Sequence, residues 1–364
     1  MSLVELSDVP SGRERWSGVV FAFFSTFFYG ASNVSMRLLT EYEVDYDWIL
    51  FYKELFGFVV LLPWLLLRFF QGRFDRISRR LILFMAFAAI ICELIGSHLQ
   101  VIGYAMIGLI ITVPLVQSST LIGVAILGRY VLGDLLSRRR KFAIVTLIVA
   151  VVLLSVGKEM TATEGDRQGG MTFIFVAIGA VVAGCAYSIY IVILRYSMRK
   201  YWNEESSVWQ SFQFTRWAGF DIPPRNKTDN NPKDQNVGKQ YAPFPVTLAM
   251  NIILGVGVVI FAIFIFVKHG VSGFYDVPVN VWYIIPVSGV CNMVGFFFQI
   301  QGLRMTSAVQ ASLIGVSQMI VLSVIGFMYF RESVNFAVTI GLFLVAYGVV
   351  ISAKPENKKI RNTK

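Results

Sequence analysis

Histidine and cysteine are both scarce in this chain, with two histidines and three cysteines in 364 residues. Two histidines, His98 and His269, offer too few nitrogen ligands for a metal cluster, so no metal and no cofactor is expected. Cys92, Cys185 and Cys291 lie inside apolar runs, where a thiol behaves as a small hydrophobe, and this excludes a disulfide framework. Charge is scarce as well. Asp, Glu, Lys and Arg make up 15% of the chain and cluster between apolar stretches instead of interleaving at helical or strand spacing, which excludes an ordinary soluble domain. The paired acidic or histidine motifs of an intramembrane enzyme are missing too, so catalysis is not expected.

Apolar sequence is what the chain has in abundance: 56% of it is hydrophobic, with a mean hydropathy of +0.65. A hydrocarbon layer about 30 Å thick needs roughly 20 apolar helical residues to cross it. Ten runs of that order are present, at residues 17–36, 48–69, 81–102, 109–132, 142–157, 171–194, 246–267, 281–300, 308–330 and 336–353. Charge at the joints supports the count, because cytoplasmic loops are rich in Lys and Arg. With the N-terminus inside, the inner joints hold five arginines from Arg68 to Arg80, the run Arg138, Arg139, Arg140 and Lys141, and the basic tail 354–364. The outer joints, 40–47 and 270–280, are acidic or near neutral. Both termini are therefore expected in the cytoplasm. The polar residues 1–15 run into a crossing-length stretch without a small-residue cleavage pattern, so no cleaved signal peptide is expected. The net charge of +10 is explained by topology and anionic headgroups, and nucleic acid is not an expected partner.

One long polar segment, 198–242, reads as a cytoplasmic loop, and its Asn226-Lys227-Thr228 sequon should stay unglycosylated. Within it Trp209, Phe212, Phe214 and Trp217 fit either a short helix on the membrane surface or a plain linker.

Shifting the chain by 199 positions lays Cys92-Glu-Leu-Ile-Gly96 over Cys291-Asn-Met-Val-Gly295, Gln100 over Gln299, Gly103 over Gly302, Met106 over Met305 and Ser118 over Ser317. Each half then reads as five helices, 1–157 and 171–353, joined by an outer connection at 158–170. Five is odd, so the second half enters the membrane in the opposite sense. The expected fold is an all-α membrane protein of ten transmembrane helices in two inverted-topology repeats, with a site between them.

Tyr29-Gly-Ala-Ser-Asn33, with Gly133-Asp134-Leu135 and Arg331-Glu332-Ser333 at the ends of the fourth and ninth runs, resembles the drug/metabolite transporter superfamily in its ten-helix EamA-like form. Leu121 and Met319 stand where that family often has proline, the central loop is an insertion, and the Gly-Ala-Leu-Asn-Lys motif of nucleotide-sugar carriers is missing. The resemblance implies a secondary transporter of a small polar or amphiphilic metabolite, an amino acid, amine or drug-like molecule. It also implies alternating access, export, and a bacterial inner membrane. Proton coupling and a monomeric or homodimeric state are compatible with it. A non-transporting scaffold or sensor acting through the long loop is the alternative.

An ionisable side chain within a span costs a few kcal/mol and is a functional candidate for that reason. Glu93 is the deepest such carboxylate, and its repeat partner is the neutral Asn292. Its water-poor position suits it to bind a cationic group or exchange a proton, or to pair with Lys53 or His98 for structure alone. Lys53 and Glu54 read as a coupling pair or as an ion pair near the outer end of their span. His98, five residues from Glu93, falls on another helix face. Asn33, Gln117, Ser118, Tyr187, Tyr190, Ser317 and Gln318 either line the same cavity or bond helix to helix.

Overall fold

A computed structural model of the protein describes residues 12–70, 79–131, 141–146, 148–150, 153, 170–202, 243–274, 278–305, 314–315, 317–332 and 336–353. Within them every regular element is helical. The helices are α1 (Gly12–Glu41), α2 (Tyr46–Phe70), α3 (Arg79–Ile91), a π-helical turn (Cys92–Ser97), α4 (His98–Ile107), α5 (Leu109–Val131) and α6 (Lys141–Ala150). They continue with α7 (Gly170–Trp202), α8 (Pro243–His269), α9 (Ile284–Met305), α10 (Gln318–Met328) and α11 (Phe336–Ala353).

Seven spans among the described residues are long and apolar enough to cross a membrane: Gly18–Glu41, Tyr46–Leu67, Ile82–Ile107, Leu109–Val131, Ile174–Tyr196, Leu248–His269 and Ile284–Leu303. Helices α6 and α10 are shorter apolar segments. The basic joint 71–78, the run 138–140, the tail 354–364, residues 203–242, Gly133-Asp134-Leu135 and Ser333 lie outside the described residues. At the start of the expected loop, α7 runs on to Trp202.

The third span is longer than the hydropathy run at 81–102 suggests. It runs through α3, the π turn and α4 to Ile107, and stops where Gly108 takes φ +79°, a left-handed conformation that favours glycine. The carboxylate of Glu332 fills the space a side chain at 108 would need.

Helix α1 packs chiefly on α9, α7 on α5 and on the third span, and α2 on α8. A single apolar core joins these contacts, with Ile49, Tyr104, Leu121, Leu194, Phe261 and Ile300 fully or almost fully buried. Many large apolar side chains point outward instead: Phe23, Phe27, Phe175 and Phe266 are all more than half exposed. A water-soluble protein rarely exposes so many large apolar side chains, whereas lipid tails solvate them without penalty.

Candidate functional site

The helices leave a cavity of about 130 Å³ between them. One enclosed water needs roughly 10–15 Å³ on this scale, so a small organic solute fits. The lining comes from α1, α2, the third span, α5, α7, α8, α9 and α10. Nine of the side chains singled out from sequence meet there: Asn33, Lys53, Glu54, Glu93, Gln117, Tyr187, Tyr190, Asn292 and Gln318.

Lys53 and Glu54 lie two turns into α2, and both side chains are almost completely buried. Lys53 Nζ is 2.7 Å from Glu54 Oε1. Glu93, on the π turn, is 3% exposed and shares electrostatic contact with both of them and with Ser97. Glu54 Oε2 and Glu93 Oε2 have no hydrogen-bond partner among the described residues. Gly257 of α8 seats this pair: a side chain there would meet Glu54 Cγ at 2.7 Å and Glu93 Cγ at 3.4 Å. π turns inside α-helices recur at functional positions, and this one carries Cys92, Glu93 and Ser97 along the cavity wall.

Two glutamine–tyrosine pairs flank the carboxylates. Tyr187 Oη donates to Gln100 Oε1 at 2.5 Å and lies 3.2 Å from Ser97 Oγ. Tyr29 Oη donates to Gln299 Oε1 at 2.9 Å. Gln100 and Gln299 coincide under the 199-residue shift, and each is bonded to a tyrosine from the other half of the sequence. Gln117 Nε2 donates to Gln318 Oε1 at 3.4 Å, again across the halves. Sequence reasoning left Gln100, Gln299, Tyr29 and Ser97 off the candidate residues, although the two glutamines were visible as repeat-matched polar positions inside apolar runs.

Three candidates lie elsewhere. Ser118 is buried in α5 away from the cavity. Ser317 bonds the carbonyl of Ile314 at 2.7 Å, just before α10. His98 faces away from Glu93, and its Nδ1 is 3.2 Å from Asp47 Oδ1. Asp47, fully buried at the start of α2, also pairs with Lys268 at the end of α8, while Asp45 lies 4.0 Å from Lys268 and 3.7 Å from His269.

A second polar contact ties sequence-distant elements. Glu332 accepts the backbone N–H of Leu109 at 2.8 Å and of Ile110 at 2.9 Å, capping the first turn of α5. Arg37 Nε is 3.7 Å from Glu332 Oε1, and its guanidinium lies 5.4 Å from the Phe330 ring centre. A carboxylate at a helix N-terminus satisfies otherwise orphaned donors and complements the helix dipole.

Comparison with known proteins places this architecture. The model of the EamA-like transporter family matches residues 16–156 and 236–353. No curated protein matches. Among solved structures 27 chains match. One, described only as the crystal structure of a protein, is 12% identical with a TM-score of 0.58 over 93% of this chain and 96% of its own, which is a likeness of fold.

Proposed function

This chain belongs to the EamA-like transporter family, and from that premise we propose that it is a secondary transporter exporting a small polar or amphiphilic metabolite by alternating access between two inverted five-helix halves. Family and apolar helices together make it an integral membrane protein and a transporter of the drug/metabolite type. The proposal goes further, to ten spans, cytoplasmic termini, a bacterial inner membrane and the cavity as the transport site.

One observation carries it. A polar cavity sits amid apolar helices, and both halves of the sequence supply its walls and its cross-bonds. A buried carboxylate with an unsatisfied oxygen is costly unless a ligand or proton occupies it. Glu93 is such a group, and we assign it the substrate-binding or proton-coupling role. The exchanged pattern of the Gln100–Tyr187 and Gln299–Tyr29 bonds is what a two-fold axis between inverted repeats would generate.

The two polar ties support alternating access. Asp47, His98 and Lys268 join α2, α4 and α8, while Glu332 and Arg37 join α1 and α5 to the chain after α10. In the proposed topology all of these residues stand at the outer end, so they close the cavity on that side.

The test is purified protein in liposomes, screened against a metabolite library at two pH values, wild type beside Glu93→Gln. We expect a ligand that stabilises and crosses with wild type and loses its pH dependence in the variant. Full pH-dependent transport by Glu93→Gln would remove Glu93 from coupling, and absence of flux for every solute would remove the transporter reading.

A further inference from the structure

Charge accounting within the cavity narrows the substrate class. Among the described residues lining it, the ionisable groups of Lys, Arg, His, Asp and Glu are Lys53, Glu54 and Glu93. Lys53 is taken up by Glu54 at 2.7 Å. Lys53 also acts electrostatically on Glu93, but one positive charge against two carboxylates leaves the chamber one cation short, and Glu93 keeps one carboxylate oxygen without a hydrogen-bond partner at 3% exposure. The rest of the wall offers hydroxyls, amides and rings, among them Tyr190 and Phe296, stacked with centroids 5.8 Å apart.

From this we infer that the transported molecule is an organic monocation, an amine that carries no ionised carboxylate, held by its ammonium on Glu93 against the aromatic wall. The inference rests on the transporter reading above and deepens it. A zwitterionic amino acid would bring a carboxylate into a chamber whose described cation is already paired, and opening that buried pair would strand Glu54. An amine faces no such obstacle. Its ammonium meets an open carboxylate in a water-poor space, where charge-assisted hydrogen bonds are strongest, and nearby rings attract cations. A neutral molecule of the same shape donates at most an uncharged hydrogen bond to Glu93 and leaves its charge without a counter-ion.

The experiment compares matched pairs on the full-length protein in liposomes: tyramine with tyrosine, phenethylamine with phenylalanine, and isoamylamine with leucine. N-acetyltyramine serves as the uncharged analogue. Thermal stabilisation and counterflow are read for wild type and Glu93→Gln. At least one amine is expected to bind roughly tenfold or more tightly than its amino acid and its acetylated form, and that preference should vanish in the variant. Equal or tighter binding of the amino acids, or an amine preference that survives in Glu93→Gln, overturns the inference. Failure of every amine overturns it as well. If a neutral or anionic solute is then carried, the transporter reading stands alone; if no solute of any charge crosses, both fall. Should Glu93→Gln not fold, the wild-type pairs decide by themselves.

Discussion

At Gly257 the missing side chain leaves space that two carboxylates use. A methyl group there would press on Glu54 Cγ at 2.7 Å, closer than carbon atoms approach without something shifting. Gly257→Ala should therefore move Glu54 relative to Glu93 and cut flux by about an order of magnitude or more, since misplacement by about 1 Å can cost a hundredfold in a positioned site. Alanine suits a helix better than glycine by roughly 0.8–1 kcal/mol, so the fold should tolerate the change. Thermal midpoint and flux measured together check this, and a variant with unchanged flux would show that the seating is not needed. The Tyr29–Gln299 bond makes a milder case. Tyr29→Phe should cost about 0.6 kcal/mol, the typical worth of a hydrogen bond between membrane helices, read by thermal or denaturant unfolding in detergent.

Between elements, the proposed alternating access gives the two ties at one end of the bundle the task of holding the cavity shut there. Each is a buried or half-buried carboxylate whose partners come from elsewhere in the chain, Glu332 with the first turn of α5 and Asp47 with His98 and Lys268. Weakening them should favour the state open at that end. In a protein whose Cys185 and Cys291 are replaced by serine, Cys92 is a buried reporter on the cavity wall. Glu332→Gln with Asp47→Asn is expected to speed labelling of Cys92 by an impermeant maleimide added from the outer side several-fold. Unchanged labelling would mean that packing, not these ties, holds the end shut. Gly108→Ala should disturb the same place more severely, because it combines a strained φ of +79° with a collision against the Glu332 carboxylate.

For the molecule as a whole, the segment between α7 and α8 separates two readings. A transporter works through the cavity and keeps measurable flux when residues 203–239 are removed, whereas a scaffold acting through that segment loses its partner instead. Flux in liposomes checks the first outcome, and co-purification of partners from the native membrane checks the second.

Class and the positions of seven of the ten expected spans were legible in the sequence because one-dimensional hydropathy is enough: a helix must carry about 20 apolar residues to cross lipid, and charges accumulate where it ends. The 199-residue match also singled out Gln100 with Gln299 and Glu93 with Asn292, and all four line the cavity. Which face of each helix turns inward was not. Lipid and packed interior are both apolar, so the amphipathic stripe that orients a helix in water is weak here. Within α8 alone, Phe261 is fully buried and Phe266 is 57% exposed, with nothing in residue type to separate them. Lys53 and Glu54 illustrate the same limit. By sequence they read equally as a pair near a span end, and only the packing of α2 on α8 and α9 turns them into the cavity beside Glu93. His98 went the other way, lying against Asp47, which is itself paired with Lys268, outside the cavity. The sequence by itself determined that these ionisable residues lie within long apolar segments; tertiary packing decided which of them are buried and share a chamber, since that depends on helix rotation and helix partners that hydropathy does not encode.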